Sequence, residues 1–180
     1  MEQIKIINGK AIFPEGIKKL TRKLFSEPEK LVYLVIPSTV ETIDYCAFDD
    51  CTSLRSVVIP ASVKRIDAKF GKCSSLMSIT VDKDNEIYDS REDCNAIIET
   101  KTNKLVAGAH STIIPESVTE LGDFAISGDL NIKDINIPAS IKGIYENSLH
   151  LRGLQTITFN SKIEIEGLLS NIYIRRALKA

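Results

Sequence analysis

Few side chains of this 180-residue chain have the types and spacing that could do chemistry. Neither of its two histidines, His110 and His150, is paired in sequence with a cysteine. The chain contains no C-x-x-C pair, no G-x-S-x-G or H-E-x-x-H motif and no glycine-rich phosphate loop. We therefore predict that the protein is not an enzyme and needs no cofactor or metal. An enzyme with a site assembled from distant loops is the remote alternative.

The acidic run from Asp82 to Glu86 is the one segment that resembles a metal-binding motif. Asp82, Asp84 and Glu86 alternate as in the first half of a calcium loop. Ile87, however, occupies the place where such a loop needs glycine for its sharp turn. The sequence therefore favours a polar turn over a calcium site.

Composition and charge exclude other classes of protein. Lys and Arg number 23 and Asp and Glu number 24, so the net charge is −1. This balance argues against a nucleic-acid binder or a polybasic membrane binder. No apolar run is long enough to span a membrane, and the first 20 residues do not resemble a secretory signal peptide. Ile and Val number 26 and 9, against 15 Leu and 11 Ala, which favours strands over helices.

An internal repeat of 22 or 23 residues organises the elements that must position any site. The repeat is anchored by Ile-Pro, and apolar residues recur at fixed distances on both sides of it. The repeating unit is L-x-x-I-x-I-P-x-S-V-x-x-I-x-x-x-A-F-x-x-C. Its seven anchors are Phe13-Pro14, Ile36-Pro37, Ile59-Pro60, Val81-Asp82, Ile114-Pro115, Ile137-Pro138 and Phe159-Asn160.

This unit predicts a stack of short coils. The segment L-x-x-I-x-I can form a strand with its apolar positions turned inward, and the proline that follows ends the strand. Val and Ile of V-x-x-I return on the opposite side, and Ala-Phe closes the coil. One coil has no core of its own, so the coils become stable by stacking. We expect Leu31, Leu54 and Leu76 to form one interior column.

The repeat resembles the BspA-like leucine-rich repeats of bacterial surface proteins over about residues 10–165. The resemblance rests on the Ile-Pro anchor, the Ser-Val after it and the Ala-Phe-x-x-Cys turn. It implies a mainly β fold, a leucine-rich-repeat solenoid of about seven short coils with a β-hairpin insertion and capped ends. It also implies a secreted or surface-displayed binding scaffold, often used in adhesion. The free cysteines and the visible N-terminus favour the cytoplasm instead.

The repeat spacing divides the single domain, 1–180, into five parts. The spacing from Val81 to Ile114 is about ten residues too long, and a hairpin of Ala96–Glu99 with Lys104–Ala107 accounts for the excess. Ile17, Leu20, Leu24 and Phe25 have helical spacing, so the start is either a capping helix or an atypical first coil. The parts are an N-terminal cap and first coil (1–30), repeats (31–81), the hairpin insertion (82–108), further repeats (109–160) and a C-terminal cap (161–180).

Two sets of small side chains recur within the coils. Cys51 and Cys73 occupy equivalent positions, which favours free buried thiols over a disulfide between them. Ser62, Ser117 and Ser140 follow the anchors by three residues. Their hydroxyls could bond backbone groups of the neighbouring coil, or they could simply reflect a preference for small polar residues in turns.

The outward positions of the strands supply the candidate binding surface. Their N-terminal half is unusually apolar for exposed positions, which is typical of an interface. A general preference of strands for β-branched residues is the alternative explanation. The candidate ligand-binding residues, called here the strand face, are Val32, Tyr33, Val35, Arg55, Val58, Met77 and His110.

These observations predict a non-catalytic module that binds a protein or a glycan through the strand face or the hairpin. A structural or self-associating scaffold is the alternative. A host molecule is among the candidate partners. We expect a monomer or weak homodimer that neither binds nucleic acid nor inserts into a membrane.

Overall fold

The computed structural model describes residues 3–128, 132–145, 147–151 and 153–160. It is a mainly β solenoid of about six turns. The predicted C-terminal cap, 161–180, lies outside the described residues. Three 3₁₀ turns occur, at Arg22–Leu24, Pro28–Lys30 and Arg91–Asp93. The strands are β1 (Lys5–Ile7), β2 (Lys10–Ile12), β3 (Lys19–Leu20), β4 (Tyr33–Val35), β5 (Thr42–Ile43), β6 (Ser56–Ile59), β7 (Arg65–Ile66), β8 (Ser78–Val81), β9 (Tyr88–Asp89), β10 (Ala96–Glu99), β11 (Lys104–Gly108), β12 (Glu120–Leu121), β13 (Ile126–Gly128), β14 (Asp134–Ile137), β15 (Leu149–Leu151) and β16 (Thr156–Phe159).

Successive coils stack as the repeat predicts. One sheet has the strand order β1-β2-β4-β6-β8, and the return side of the same coils forms the sheet β3-β5-β7. The pairs β4–β6 and β6–β8 are parallel, and Leu34 lies opposite Val57, which lies opposite Ile79. Further along the chain, β14 pairs with β16 in the same parallel manner.

The interior column is confirmed. Leu31, Leu54 and Leu76 are each 0% exposed, and Ile132 and Leu154 continue the same repeat position in the later coils. Burial of each such side chain contributes roughly 1.5–3 kcal/mol, and only the neighbouring coil can provide it. The core forms two clusters, one within Ile4–Ala109 and one within Cys94–Ile157.

The anchor prolines end their strands by starting the same turn in each coil. The carbonyl oxygens of Pro37, Pro60, Pro115 and Pro138 each accept a hydrogen bond from the amide three residues later, at 3.0 to 3.2 Å. In the coil that lacks proline, Asp82 accepts from Asn85 at 2.9 Å and so makes the same turn. The acidic run is therefore a turn of the solenoid, as predicted.

The N-terminus is an atypical first coil, not a capping helix. An antiparallel pair, β1–β2, precedes it, and β2 joins β4 where Lys10 lies opposite Tyr33. This hairpin was not among the elements predicted from the sequence. Its signal is the dipeptide Asn8-Gly9, whose φ angles of 49° and 77° suit the tight turn that hairpins favour.

The hairpin insertion is confirmed. Strands β10 and β11 pair antiparallel, with Glu99 opposite Lys104. Strand β9 pairs with the outer edge of β10, and β11 pairs in parallel with β12. The insertion therefore forms a four-stranded sheet with β12, the return strand of the next coil, and is not a free loop.

The coil after the insertion departs from the repeat. His110, which the sequence places in a strand, lies in a turn. The reason is that the Thr112 hydroxyl accepts a bond from the Ala109 amide at 2.7 Å and donates one to Asn95 O at 2.9 Å. Ile113 N likewise donates to Cys94 O at 3.1 Å, so this segment pairs with the insertion.

Candidate functional site

The strand face is built by the alternation of side chains along β4, β6 and β8. Each strand turns alternate residues into the core and presents the others to solvent. Parallel register aligns the outward residues in rows across the coils. Tyr33 lies opposite Ser56, and Val35 lies opposite Val58.

The structure brings all seven predicted residues to this one side of the solenoid. Five are exposed, namely Tyr33 (47%), Val35 (68%), Val58 (36%), Met77 (47%) and Arg55, whereas Val32 and His110 are half-buried. Backbone hydrogen bonds join neighbouring coils along this side of the solenoid. Arg55 N donates to Val32 O at 2.8 Å, Met77 N to Arg55 O at 2.9 Å and His110 N to Leu76 O at 2.8 Å.

Further apolar side chains, which were not among the candidates predicted from the sequence, extend this surface. Ile12 is 51% exposed on β2, and Ile113 is 71% exposed in the coil after the insertion. Both stand directly before an anchor, as Val35 and Val58 do, and this shared position was the available signal. We call Ile12, Val35, Val58 and Ile113 the apolar row.

The return side of the same coils has a different character. Lys18, Glu41 and Lys64 occupy equivalent positions, and Glu41 pairs with Lys18 at 3.1 Å and Lys64 at 3.5 Å. Hydrogen bonds and charge from the two lysines hold the pKa of Glu41 below its ordinary value. Such exposed pairs contribute little stability, but they give this side a charged, well-hydrated surface. The contrast makes the apolar strand face the better candidate for an interface.

The small repeated side chains serve structure. Ser62 Oγ donates to Val40 O of the preceding coil at 2.7 Å, which confirms the predicted ladder at this position. The Ser117 hydroxyl instead accepts a bond from Arg91 at 3.4 Å, and Ser140 Oγ is buried with no hydrogen-bond partner in the described chain. The ladder is therefore partial.

The cysteines are free, and three of them are buried. Cys51 and Cys73 are buried and unbridged, as predicted, and Cys94 is buried in the insertion. Burial raises the pKa of Cys51 to about 12 and that of Cys73 well above its ordinary value. Such thiols stay protonated and fill space, so they do not act as nucleophiles.

The parts of the chain that the structure describes contain no group of three or more His, Cys, Asp or Glu side chains placed to hold a metal ion. Within the same residues, no helix has the length and apolar character needed to cross a bilayer.

One solved structure supports the same fold, and two others align with lower scores. The pneumococcal vaccine antigen PcpA aligns with a TM-score of 0.53 and 17% identity, over 81% of this chain and 46% of that one. A leucine-rich repeat protein from Eubacterium ventriosum aligns with a TM-score of 0.47 and 17% identity, over 87% and 61%. A leucine-rich repeat protein from T. pallidum aligns with a TM-score of 0.44 and 21% identity, over 84% of this chain and 73% of that one. This chain thus spans less than two thirds of the first two structures.

Sequence comparison identifies the repeat itself. No curated protein matches the chain. The family described as BspA type leucine rich repeat region, with six copies, matches residues 8–102 and 95–171. These ranges contain the predicted anchors from Phe13 to Phe159. The chain therefore belongs to the BspA type leucine-rich repeat family.

Proposed function

We propose that this chain is a non-catalytic recognition module that binds a protein partner through its strand face. One observation carries the proposal: the apolar row stays exposed on one side of the solenoid, although the return side of the same coils is charged. Soluble proteins rarely leave a contiguous apolar surface uncovered unless it is used for binding. Tyr33 and Arg55 add the residue types that dominate binding energy at protein interfaces.

The geometry supports a protein partner over a small ligand for this surface. The outward side chains of β4, β6 and β8 form a broad sheet surface, and Val32 and His110 at its margins are half-buried. A broad surface with aromatic and aliphatic anchors is the arrangement of protein interfaces.

Self-association is the second candidate, because an apolar row can also cover the same row of a second copy. Light scattering during size-exclusion chromatography distinguishes the two. Self-association is supported if the unaltered chain has the mass of a dimer and the Val35→Asp variant has the mass of a monomer. A different partner is supported if the unaltered chain is a monomer at every concentration.

We also propose a location at the cell surface or outside the cell. Its support is the repeat family and the shared fold of the pneumococcal vaccine antigen. Labelling of intact cells with an antibody against this chain tests it, and labelling only after lysis would support the cytoplasmic alternative.

The binding site itself is tested by hydroxyl-radical footprinting of the full chain, alone and with a partner isolated on it. Met77 and Tyr33 are both exposed and react readily with radicals, and Tyr45, 55% exposed outside the strand face, is an internal control. We expect the partner to protect Met77 and Tyr33 and to leave Tyr45 unchanged. Protection of Tyr45 alone would place the site elsewhere.

A further inference from the structure

The antiparallel hairpin at the N-terminus extends the strand face by two strands. Strands β1 and β2 place Lys5 opposite Ile12 and Ile7 opposite Lys10. These four side chains are exposed, while the middle residue of each strand packs against the core. Strand β2 joins β4 where Lys10 lies opposite Tyr33. The four exposed residues, called here the hairpin face, are therefore continuous with the strand face.

The charged residues on the outward surface of this sheet are cations. The five strands β1, β2, β4, β6 and β8 contain no Asp or Glu, and their outward charged residues are Lys5 and Lys10. Arg55, directly before β6, adds a third exposed cation. Acidic residues beside these strands lie in the turns, as do Glu15, Glu29 and Asp82. The outward surface of the five strands therefore carries positive charge without negative charge.

These three cations also have no ionic partner. None of the salt bridges among the described residues includes any of them. On the return side of the same coils, by contrast, Lys19 pairs with Asp44 and Arg65 pairs with Asp67, both at 2.8 Å. The chain thus supplies carboxylates to cations of its return side and leaves those of the outward surface to another molecule.

A molecule that covers this surface must also accommodate its cations. Lys10 lies opposite Tyr33 on the neighbouring strand, about 4.8 Å away along the sheet. A partner that covers the Tyr33 ring therefore also removes water from the Lys10 side chain. A cation that loses water without a counter-charge is unfavourable, whereas a carboxylate restores a strong hydrogen bond to it. The surface consequently discriminates against partners that lack acidic residues.

The same charges make a second copy of this chain a poor occupant. In a dimer with two-fold symmetry, the same surface of both copies meets face to face. Lys5, Lys10 and Arg55 of one copy would then face a surface whose charged residues are again cations. Like charges that oppose each other across an interface are unfavourable. The outward surface therefore suits a different molecule better than it suits itself.

We propose that the partner of the strand face is a protein segment that presents carboxylates beside an apolar patch. Its Asp or Glu side chains meet Lys5, Lys10 and Arg55, while its aromatic and aliphatic side chains cover Tyr33 and the apolar row. This inference rests on the proposed function, because it specifies the chemistry of the partner that the strand face binds. Charge complementarity of this kind sets the orientation of the partner and speeds its encounter.

The test is selection of a phage-displayed library of random peptides on the full chain. Peptides that still bind the double variant Tyr33→Ser and Val58→Ser are then removed, and these neutral substitutions leave the charge of the surface unchanged. We expect the retained peptides to contain more Asp and Glu than the starting library, beside apolar residues. Retained peptides without this excess would overturn the present inference alone. A selection that retains no peptide would overturn the proposed function as well.

Charge variants test whether the named cations select the acidic residues. For a retained peptide, Lys10→Glu with Arg55→Glu should weaken binding at least about tenfold, because attraction becomes repulsion. Lys101→Glu with Lys142→Glu makes the same change in net charge at two exposed lysines outside this surface, and this matched control should bind as the unaltered chain does. Equal weakening in the two double variants would show a response to net charge alone and would overturn the assignment.

Discussion

The rings of Phe48 and Phe70 stack with their centroids 5.0 Å apart and their planes within 9° of parallel. The two residues hold the same position in successive coils, and each accepts at its carbonyl a bond from the cysteine amide three residues later. The stack continues the interior column on the closing side of the coil. A coil that lost its ring would weaken both of its neighbours, because stability in a solenoid comes from the contacts between coils.

Phe48→Ala should therefore lower the free energy of unfolding by about 3–5 kcal/mol, through lost burial and the cavity that remains. Phe48 is fully buried. Urea unfolding measures the change, and Tyr45→Ala, a neighbouring exposed aromatic residue, should change it by less than about 0.5 kcal/mol. Similar losses in the two variants would contradict the stacked interior.

The thiols should separate into one accessible group and three protected ones. Cys46 is exposed, whereas Cys51, Cys73 and Cys94 are buried. Desolvation raises the pKa of all four thiols, so access of the reagent is what separates them. In the native protein at mildly alkaline pH, a colorimetric thiol reagent should modify Cys46 alone. The other three should react only on unfolding, and Cys46→Ser should abolish the early reaction. Early reaction of more than one thiol would show that the coils are open.

Asn85 is a buried polar residue whose side chain makes four hydrogen bonds to the backbone. Its amide nitrogen donates to Pro60 O and Val63 O, both at 3.0 Å, and its amide oxygen accepts from the amides of Ile87 at 2.9 Å and Tyr88 at 2.8 Å. Asn85→Asp keeps the shape but places a carboxylate against two carbonyl oxygens.

We expect Asn85→Asp to cost at least about 2 kcal/mol of unfolding free energy, since buried groups lose their partners. Ser62→Ala removes a single hydrogen bond and should cost about 1 kcal/mol. Chemical denaturation compares the two. A variant Asn85→Asp as stable as the unaltered chain would show that the side chain does not point inward.

The ion pair of Asp89 and Arg91 should make the insertion sensitive to acid. Burial raises the pKa of Asp89, but hydrogen bonds from Arg91 and Thr100 outweigh it, and the net pKa is lowered. Arg91 also donates to Asn103 Oδ1 at 2.8 Å, across the hairpin. Because the folded pKa lies below the unfolded one, the contribution is complete above about pH 4 and is lost as the pH falls through the folded value.

Amide exchange of the hairpin strands β10 and β11 measures this effect. Protection in the unaltered chain should fall with acid more steeply than in Asp89→Asn, which cannot ionise. Parallel pH profiles in the two proteins would contradict a role for this ion pair.

The sequence predicts the parts of the fold that repeat. Leu31, Leu54 and Leu76 could be placed in one column because each coil has the same need to bury the same position. The hairpin at Ala96–Glu99 followed from the excess length of one spacing. The outward positions of the strand face followed from alternation, since side chains on a strand have a period of two.

The remaining features depend on contacts between segments that no period links. His110 lies outside the strands because Thr112 hydrogen-bonds to Asn95 of the insertion. The repeat pattern does not predict this contact, because the two residues belong to different segments of the chain. Gly71 and Gly128 approach each other closely although they lie in coils separated by the insertion, because a Cβ at Gly128 would lie 1.9 Å from the Gly71 carbonyl oxygen. Such a meeting is a property of the folded chain and has no signature in either repeat.

Binding of a protein partner by the strand face is tested most directly by the affinity of an isolated partner for three forms of the full chain. The three forms are the unaltered chain, a double variant of the strand face and a variant on the other side. The double variant Tyr33→Asp and Val58→Asp places two charges on the strand face, and Tyr45→Asp places one on the other side. We predict that the double variant binds at least about a hundredfold more weakly, because its charges would be buried without partners, and that Tyr45→Asp binds as the unaltered chain does. Equal affinity in the double variant and the unaltered chain, with both folded, would contradict the account.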